Sequence, residues 1–438
     1  MNELEAYCVK DTLALEQILT KFGEEIFDDH EVDIVKCPTV TALGFKIFRT
    51  SHLEENKIPK ILGDMYKSLK QSFYGGFCEF FKAFGKMINS FDFISLYPAM
   101  MEFDMPVGKP VYFKGDPFEI RKNPFGFFKV KKVIAPYMKI PILPKRHNTG
   151  KGDRTILPYG TWEGGYIFSE EIKNAIKHGY KFEIDEGFFF ERGKNLFTSY
   201  VRLLYEMKRD SAPSEDNPGD PSRYYTAKAL LNSLFGRFAL TPECRECKVV
   251  TESELDNILL NEKNVEFEKL LSGNFLVSYD SDHDPEGLVM SNISVIISAA
   301  IAAYGRIIMS KYLIEYKDSI YAIDTDGIKI DKFLDSSELS NDEMGKMKYE
   351  YTFEEAVFPA PKVYGGILVN EYKGLKEICK IKGYKSSTSY HKLKSLLYLN
   401  NRLILEQEKW FRNISDSAIT IKRQPYNLTL SDSKRQLI

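Results

Sequence analysis

The stretch Tyr321-Ala-Ile-Asp324-Thr-Asp326-Gly-Ile-Lys-Ile330 sets two carboxylates two residues apart between apolar runs rich in Ile and Tyr. That pattern predicts two short strands joined by a tight turn, with both carboxylates at the tip. Like charges so close are costly to ionise together unless something positive sits between them. Mg²⁺ suits the task, because it takes hard oxygen ligands from one or two carboxylates and keeps positions free for phosphates. On these residues alone, a solvated Asp-Gly turn is an equal reading.

Other residues could share that chemistry. Met87–Pro98 reads as a strand leading into a helix, with Asp92 near the strand end and Tyr97-Pro98 at the helix start. A lone Asp there either lines a site or caps the helix. Farther on, a helix over about 222–238 places Lys228, Asn232, Phe235 and Gly236 on one face. That stripe could grip phosphate, sugar or base, or be a mixed surface. The preceding helix, 197–209, ends in Lys208-Arg209, and a breaker-rich loop at 211–221 makes the two an αα-hairpin. Phe73-Tyr74-Gly75-Gly76 suits a turn where another backbone comes close. Lys362-Val-Tyr364 and the lysines of 373–394, interleaved with Tyr384 and Tyr390, suit a nucleic-acid backbone or a solvated lysine face. Tyr7 and Asp11 share a helical face, as on any amphipathic helix.

The chain that must position these residues has 438 residues and 43% apolar content, enough for two or three domains with real cores. Its net charge of −2 does not announce a nucleic-acid partner, so any such partner must meet local basic patches. Six cysteines make no disulfide framework in a chain this long, and a reducing compartment follows. Cys244 and Cys247 have half the spacing of a zinc site, but no second pair follows. No signal peptide opens the chain, and the acidic start is not an Arg-rich transit peptide. The apolar run at 287–313 is interrupted by Ser and Asn and predicts a buried core helix, not a membrane span. The Asn-x-Ser/Thr triplets at Asn292, Asn413 and Asn427 then carry no glycan. Residues 1–70 read as mainly helical. Residues 105–195, rich in Pro, Gly and aromatics, read as an inserted α+β subdomain of short strands and turns. Its one helix, 170–177, is capped by Ser169 and stops at Gly179. Residues 240–285 read as a small polar insertion.

The order of these pieces resembles family B DNA polymerases. Asp92-Phe-Ile-Ser-Leu-Tyr-Pro98 is similar to the family's first palm motif, Lys228-Ala-Leu-Leu-Asn-Ser-Leu-Phe-Gly236 to its fingers motif, and Asp324-Thr-Asp326 to its third motif. Tyr74-Gly75-Gly76, Lys362-Val-Tyr364 and the segment from Leu157 to Gly165 resemble the linker, thumb-side motif and terminal-protein insertion of the protein-primed branch. That branch is found in linear mitochondrial plasmids and small phages. Asp432–Ile438 resembles the close of organellar members.

The resemblance implies an α+β right-hand polymerase. Residues 1–70 would be a remnant of a 3′–5′ exonuclease domain, and 71–104 the linker and first palm segment. Residues 105–195 and 240–285 would be inserted terminal-protein regions, 196–239 the fingers, 286–356 the palm with the catalytic hairpin, and 357–438 the thumb. It implies a DNA polymerase adding dNTPs to a primer 3′-hydroxyl, or to a terminal-protein hydroxyl at initiation. Two Mg²⁺ ions, with Mn²⁺ as a substitute, would be held by Asp92, Asp326 and the Phe93 carbonyl, with Asp324 as an auxiliary metal-site carboxylate. The nucleotide would meet Ser95, Leu96, the sugar gate Tyr97, Lys208 or Arg209, Lys228, Asn232, Phe235 and Gly236. Tyr74, Gly75, Gly76, Lys362 and Tyr364 would hold DNA. Tyr7 and Asp11 match only the last exonuclease motif, which implies an N-terminally truncated, non-proofreading enzyme. The implied setting is a mitochondrion, or a host cell infected by a virus, and a monomer off the membrane. Three departures stand out: Phe235 and Phe73 replace tyrosines, Gly327 replaces the usual serine, and the earlier exonuclease motifs are missing. The competing reading is a decayed polymerase that binds DNA without copying it; a metal-dependent nuclease leaves Lys228 and Asn232 without a task.

Overall fold

The computed structural model describes residues 2–148, 153–213, 217–241, 244–281, 293–398, 401–416 and 418–430. Asn292 and Asp432–Ile438 lie outside these, as does the side chain of Cys244.

Three helices open the chain: α1 (Asn2–His30), α2 (Val40–Ser51) and α3 (Gly63–Lys70). Helix α2 begins where the Thr39 hydroxyl accepts the Ala42 N–H, and it buries Leu43, Phe45, Ile47 and Phe48. The first half of α1 is exposed all round. Strands β1 (Cys78–Phe80) and β2 (Phe84–Phe93) follow, and β2 runs into the short α4 (Leu96–Met100), as expected around Asp92.

Next come β3 (Met105–Lys114), α5 (Pro117–Ile120), β4 (Gly126–Ala135), β5 (Lys145–Asn148), β6 (Asp153–Ile156), β7 (Gly160–Trp162), β8 (Tyr166–Phe168), α6 (Ser169–Lys177) and β9 (Lys181–Gly193). The expected short strands form as β5, β6, β7 and β8, of 3 or 4 residues each, but long strands form beside them. Strands β3, β4 and β9 are 10, 10 and 13 residues long and form the antiparallel order β3-β9-β4-β7, with β8 on β4. The aromatics that suggested turns are its core: Phe113 stacks on Phe189 at 4.1 Å, and both pack against Phe128. Ser169 does not cap α6. It is the first helical residue, and its buried hydroxyl accepts the Gly126 N–H from β4. The helix does stop at Gly179, whose φ of +87° admits glycine readily.

The αα-hairpin forms as α7 (Thr198–Asp210) and α8 (Pro221–Phe238), the latter capped by Asp220 with Pro221 in its first turn. The polar stretch after it folds as β10 (Cys244–Val250), α9 (Glu252–Asn261), β11 (Lys263–Lys269) and β12 (Phe275–Ser281), a three-stranded sheet in the order β10-β12-β11. Cys247 is free and exposed there. Helix α10 (Val295–Glu315) is the expected core helix: Ile296, Ile297, Ala299, Ala300, Ile301 and Ala303 are all fully buried, and it packs on α8, α4, α3 and α6.

The rest is β13 (Ile320–Asp324), β14 (Gly327–Ile330), β15 (Met347–Ala360), β16 (Val363–Tyr372), β17 (Leu375–Ile381), α11 (Tyr390–Lys394), β18 (Arg402–Asn413) and β19 (Ala418–Thr429). Strands from both ends of the chain make one seven-stranded sheet, β1-β13-β14-β2-β15-β16-β17. The division expected at residue 357 falls inside β15, and the sheet runs on to Ile381. Helix α10 and the helical hairpin share one large apolar cluster with Phe91, Phe93, Ile323 and Ile328 of this sheet.

Candidate active site

Strand register explains why residues distant in sequence meet. Gly327 pairs with Asp324 on one side and with Asp92 on the other, and Asp92 pairs in turn with Lys348. Paired residues point to the same face, so Asp324, Asp92 and Lys348 line up across four strands, with Gly327 leaving a gap. At the hairpin tip Thr325 has a φ of +62°. The Asp326 N–H donates back to the Asp324 carbonyl at 2.7 Å, the Thr325 N–H donates to Phe77 at 2.6 Å, and Asp326 accepts the Phe93 N–H at 2.8 Å. The tip is thus clamped between the residues after the Gly pair and the end of β2, which brings Asp326 to Asp92.

Both carboxylates are shifted upward in pKa. Burial pushes Asp92 up to about 7, with the charges of Asp326 and Glu350 adding to it. Burial likewise raises Asp326, helped by Asp324. Asp324 is turned aside: its Oδ1 accepts a short hydrogen bond from Lys362. The expectation that Asp324 is an auxiliary to Asp92 and Asp326 is compatible with this tie to Lys362. Among the described residues, no three carboxylate, imidazole or thiol side chains converge as a ready cage. What remains is an oxygen-only pair, Asp92 and Asp326, short of positive charge, beside the Phe93 backbone. That donor set fits Mg²⁺ or Mn²⁺ completed by phosphate oxygens and water.

Two cavities meet at this pair. One, of about 450 Å³, is lined by Asp92, Phe93, Ser95, Leu96, Tyr97, Asp326 and Glu350 on one side and by Lys208, Arg209, Tyr224, Lys228 and Asn232 on the other. The helical hairpin thus sets its cations opposite the carboxylates. Burial, followed by the charges of Lys228 and Lys348, lowers the pKa of Lys208, the mark of a cationic pocket awaiting an anion. Lys208 donates to Ser95 Oγ at 3.1 Å, whereas Arg209 is exposed and paired with Asp210. The geometry thus separates two residues that the sequence left equal. Tyr97 stacks on Phe235 at 4.3 Å and 17°, and Phe73 meets Phe235 edge-on at 6.1 Å. Neither contact uses the hydroxyls that Phe235 and Phe73 lack. Gly236 is exposed, with nothing within 4 Å of where a Cβ would stand.

The second cavity, of about 220 Å³, is lined by Asp92, Asp324, Asp326, Lys329, Glu350, Lys362 and Tyr364. Glu350 lines both cavities and is held by Ser90 Oγ at 2.8 Å. Sequence reasoning missed Glu350, Lys329 and Lys348. They carry no motif, and only the pairing of β14 and β15 with β2 exposes them.

Tyr74, Gly75 and Gly76 line neither cavity; Gly75 and Gly76 line a neighbouring one of about 350 Å³ that shares Lys362. Arg306 donates to the carbonyls of Tyr74 at 2.6 Å and Gly75 at 3.1 Å, and Arg146 lies over the Tyr74 ring at 4.8 Å. The close approach expected of the Gly pair is real: a Cβ on Gly76 would stand 2.8 Å from Thr325 Cγ2 and 3.0 Å from Thr325 Cα. Gly76→Ala should therefore shift the hairpin tip, costing about 1–3 kcal/mol of stability and lowering any activity of the site about tenfold. Thermal denaturation and a turnover assay check both; a variant equal to the parent in each would show that the tip tolerates displacement. Tyr7 and Asp11 stand exposed on α1 and line neither cavity.

Residues 1–319 match the family described as DNA polymerase type B, organellar and viral. The chain is 45% identical over 440 residues to a probable DNA polymerase of Ascobolus immersus, covering 100% of this chain and 36% of that protein. It is 45% identical over 429 residues to a probable DNA polymerase of Neurospora intermedia, covering 96% and 43%. The chain therefore spans well under half the length of these relatives. Its fold is similar to that of the Phi29 DNA polymerase complexed with primer-template DNA and incoming nucleotide, with a TM-score of 0.66, 17% identity, and coverage of 91% of this chain and 68% of that one.

Proposed function

The chain belongs to the organellar and viral type B DNA polymerases, and from that premise we propose that it copies DNA by adding dNTPs to a primer 3′-hydroxyl. The observation that carries this reading is the placement of Asp92 and Asp326 between two cavities, one walled by Lys208 and Lys228 and the other by Lys362 and Tyr364. A nucleotide needs cations for its phosphates on one side of the carboxylates. A primer end needs a separate approach from the other.

In this mechanism Lys228 and Lys208 hold the triphosphate, and Asn232 and the Phe235–Tyr97 stack shape the space for base and sugar. Lys362 and Tyr364 steady the primer strand, and Tyr74–Gly76 the template. Asp92 and Asp326 would hold Mg²⁺, which would supply Lewis-acid chemistry there, making the 3′-hydroxyl more acidic and offsetting the negative charge of the transferring phosphoryl group and the leaving pyrophosphate. Asp324, tied to Lys362, supports them and links the primer side to the ion site. A terminal-protein hydroxyl can replace the primer end at initiation, with the 105–195 and 240–285 regions as its seat. A mitochondrion is the setting we propose, supported by the match to an organellar and viral family. The phage-like alternative is a viral protein in its host.

Primer extension with dNTPs and Mg²⁺ tests the proposal directly. Template-dependent extension that stops on chelation is the expected result; DNA binding with no extension under any divalent ion would leave a decayed polymerase instead. The sugar gate has its own prediction. Tyr97 is braced by its stack on Phe235. Tyr97→Val empties that wall and should raise ribonucleotide use relative to dNTP by about tenfold or more. Unchanged discrimination in competition assays would remove Tyr97 from that role.

A further inference from the structure

Lys329 is a buried charged group of this site that the mechanism above leaves unused, and the buried cation among those lining the smaller cavity. It is 9% exposed, on β14 between β2 and β13, where it pairs with Ser90 and Ala322. It points to the same face as Gly327, two residues earlier, and hence to the same face as Asp92. The missing side chain at Gly327 is what makes room: a Cβ there would stand 2.9 Å from Asp92 Oδ1 and 3.8 Å from Lys329 Nζ. The ammonium lies 5.6 Å from the Tyr364 ring and 5.9 Å from the Tyr351 ring. Among the described residues it forms no direct ion pair. It faces Glu350, Asp92, Asp324 and Asp326 together, along the wall of the smaller cavity.

We propose that Lys329 is a positioning residue, a fixed internal cation that holds the four carboxylates together and sets how tightly the site takes a divalent ion. The inference rests on Asp92 and Asp326 being the ion-binding pair. A buried lysine is costly unless negative charge surrounds it, and clustered carboxylates are costly unless positive charge does. Each compensates the other. Lys362 bonds Asp324 at the rim and its charge also reaches Asp326, whereas the charge of Lys329 bears on Glu350 and Asp92 as well. It also repels an arriving Mg²⁺, so a site built this way binds its ion more weakly than the bare carboxylates would. Binding then waits for the nucleotide's phosphates to supply the missing ligands.

The test is Lys329→Met, which keeps length and removes charge. Thermal denaturation of the full chain is followed across graded MgCl₂, with Mn²⁺ binding measured by its EPR signal. The variant is expected to be less stable than the parent without divalent ions and to recover as Mg²⁺ is added. Its half-saturating Mg²⁺ and Mn²⁺ concentrations should be at least tenfold lower than the parent's. A lysine present only for packing would lose the same stability at every Mg²⁺ concentration with unchanged half-saturation, and that result overturns the proposal. If the parent itself shows no ion binding, the reading of Asp92 and Asp326 fails instead. Should Lys329→Met not fold, the double variant Lys329→Met/Glu350→Gln removes one charge of each sign. It should fold and bind Mn²⁺ within about threefold of the parent; a tenfold departure in either direction counts against the proposal.

Discussion

Asp326→Asn is expected to lower primer extension by at least about a thousandfold at saturating dNTP and Mg²⁺, with the fold intact. A thousandfold corresponds to about 4 kcal/mol of transition-state stabilisation, within what a bound divalent ion supplies to a transferring phosphoryl group. The substitution removes one of the two buried carboxylates that face each other across the hairpin tip. It leaves the tip's frame alone, because that frame is made by backbone: Asp326 N–H to Asp324, and Phe93 N–H to the Asp326 carbonyl. It should also let Asp92 ionise more easily, since after burial the Asp326 charge is the largest influence holding its pKa up. Asp324→Asn is the control. Asp324 is partly exposed and already tied to Lys362, so its loss should cost about tenfold, through a loosened primer side. Single-turnover extension separates the outcomes, and an Asp326→Asn enzyme within threefold of the parent would remove the ion-binding assignment.

The pairing that makes Asp326 so sensitive was only half legible beforehand. The hairpin at 320–330, the strand-to-helix step at Asp92 and the helical face of Lys228 and Asn232 follow from local periodicity, and they form as expected. Periodicity says nothing about which strands become neighbours. The pairing of β14 with β2 places Asp92 beside Gly327, and that pairing spans more than two hundred residues of chain. Lys329 stayed hidden for the same reason, as an ordinary residue of an alternating strand until a partner strand gives its face a meaning, and Glu350 because it sits at a register shift of β15 against β2. For Asp324 the supporting role follows from the resemblance, while its partner Lys362, from the turn between β15 and β16, does not. Between Lys208 and Arg209, adjacent on one helix, only burial decides. The long strands of the inserted region stayed hidden because its Pro and Gly are visible as breakers, while β3, β4 and β9 owe their existence to one another's aromatic faces.

Glu171→Gln should destabilise the protein by about 3–5 kcal/mol, the range for breaking one side of a buried ion pair. Glu171 on α6 takes two hydrogen bonds from Arg306 on α10, at 2.6 and 2.9 Å, with the two side chains 6% and 1% exposed. The amide keeps the shape and loses the charge, so the guanidinium is left buried with only carbonyls for company. Those carbonyls belong to Tyr74 and Gly75. Arg306 therefore joins three parts of the chain: the core helix, the inserted sheet's helix, and the linker that clamps the hairpin tip. Replacing both partners with apolar residues often restores stability, because no lone charge remains. Glu171→Gln/Arg306→Met should recover only part of the loss, since the Tyr74 and Gly75 carbonyls would still lack their donor. The unrecovered part measures what the arginine does for the linker, and it should appear also as weaker template binding. Urea midpoints, multiplied by a slope common to the variants, give the energies. A loss below about 1 kcal/mol for Glu171→Gln, the level of an exposed pair, would mean that the linker is held by the backbone alone.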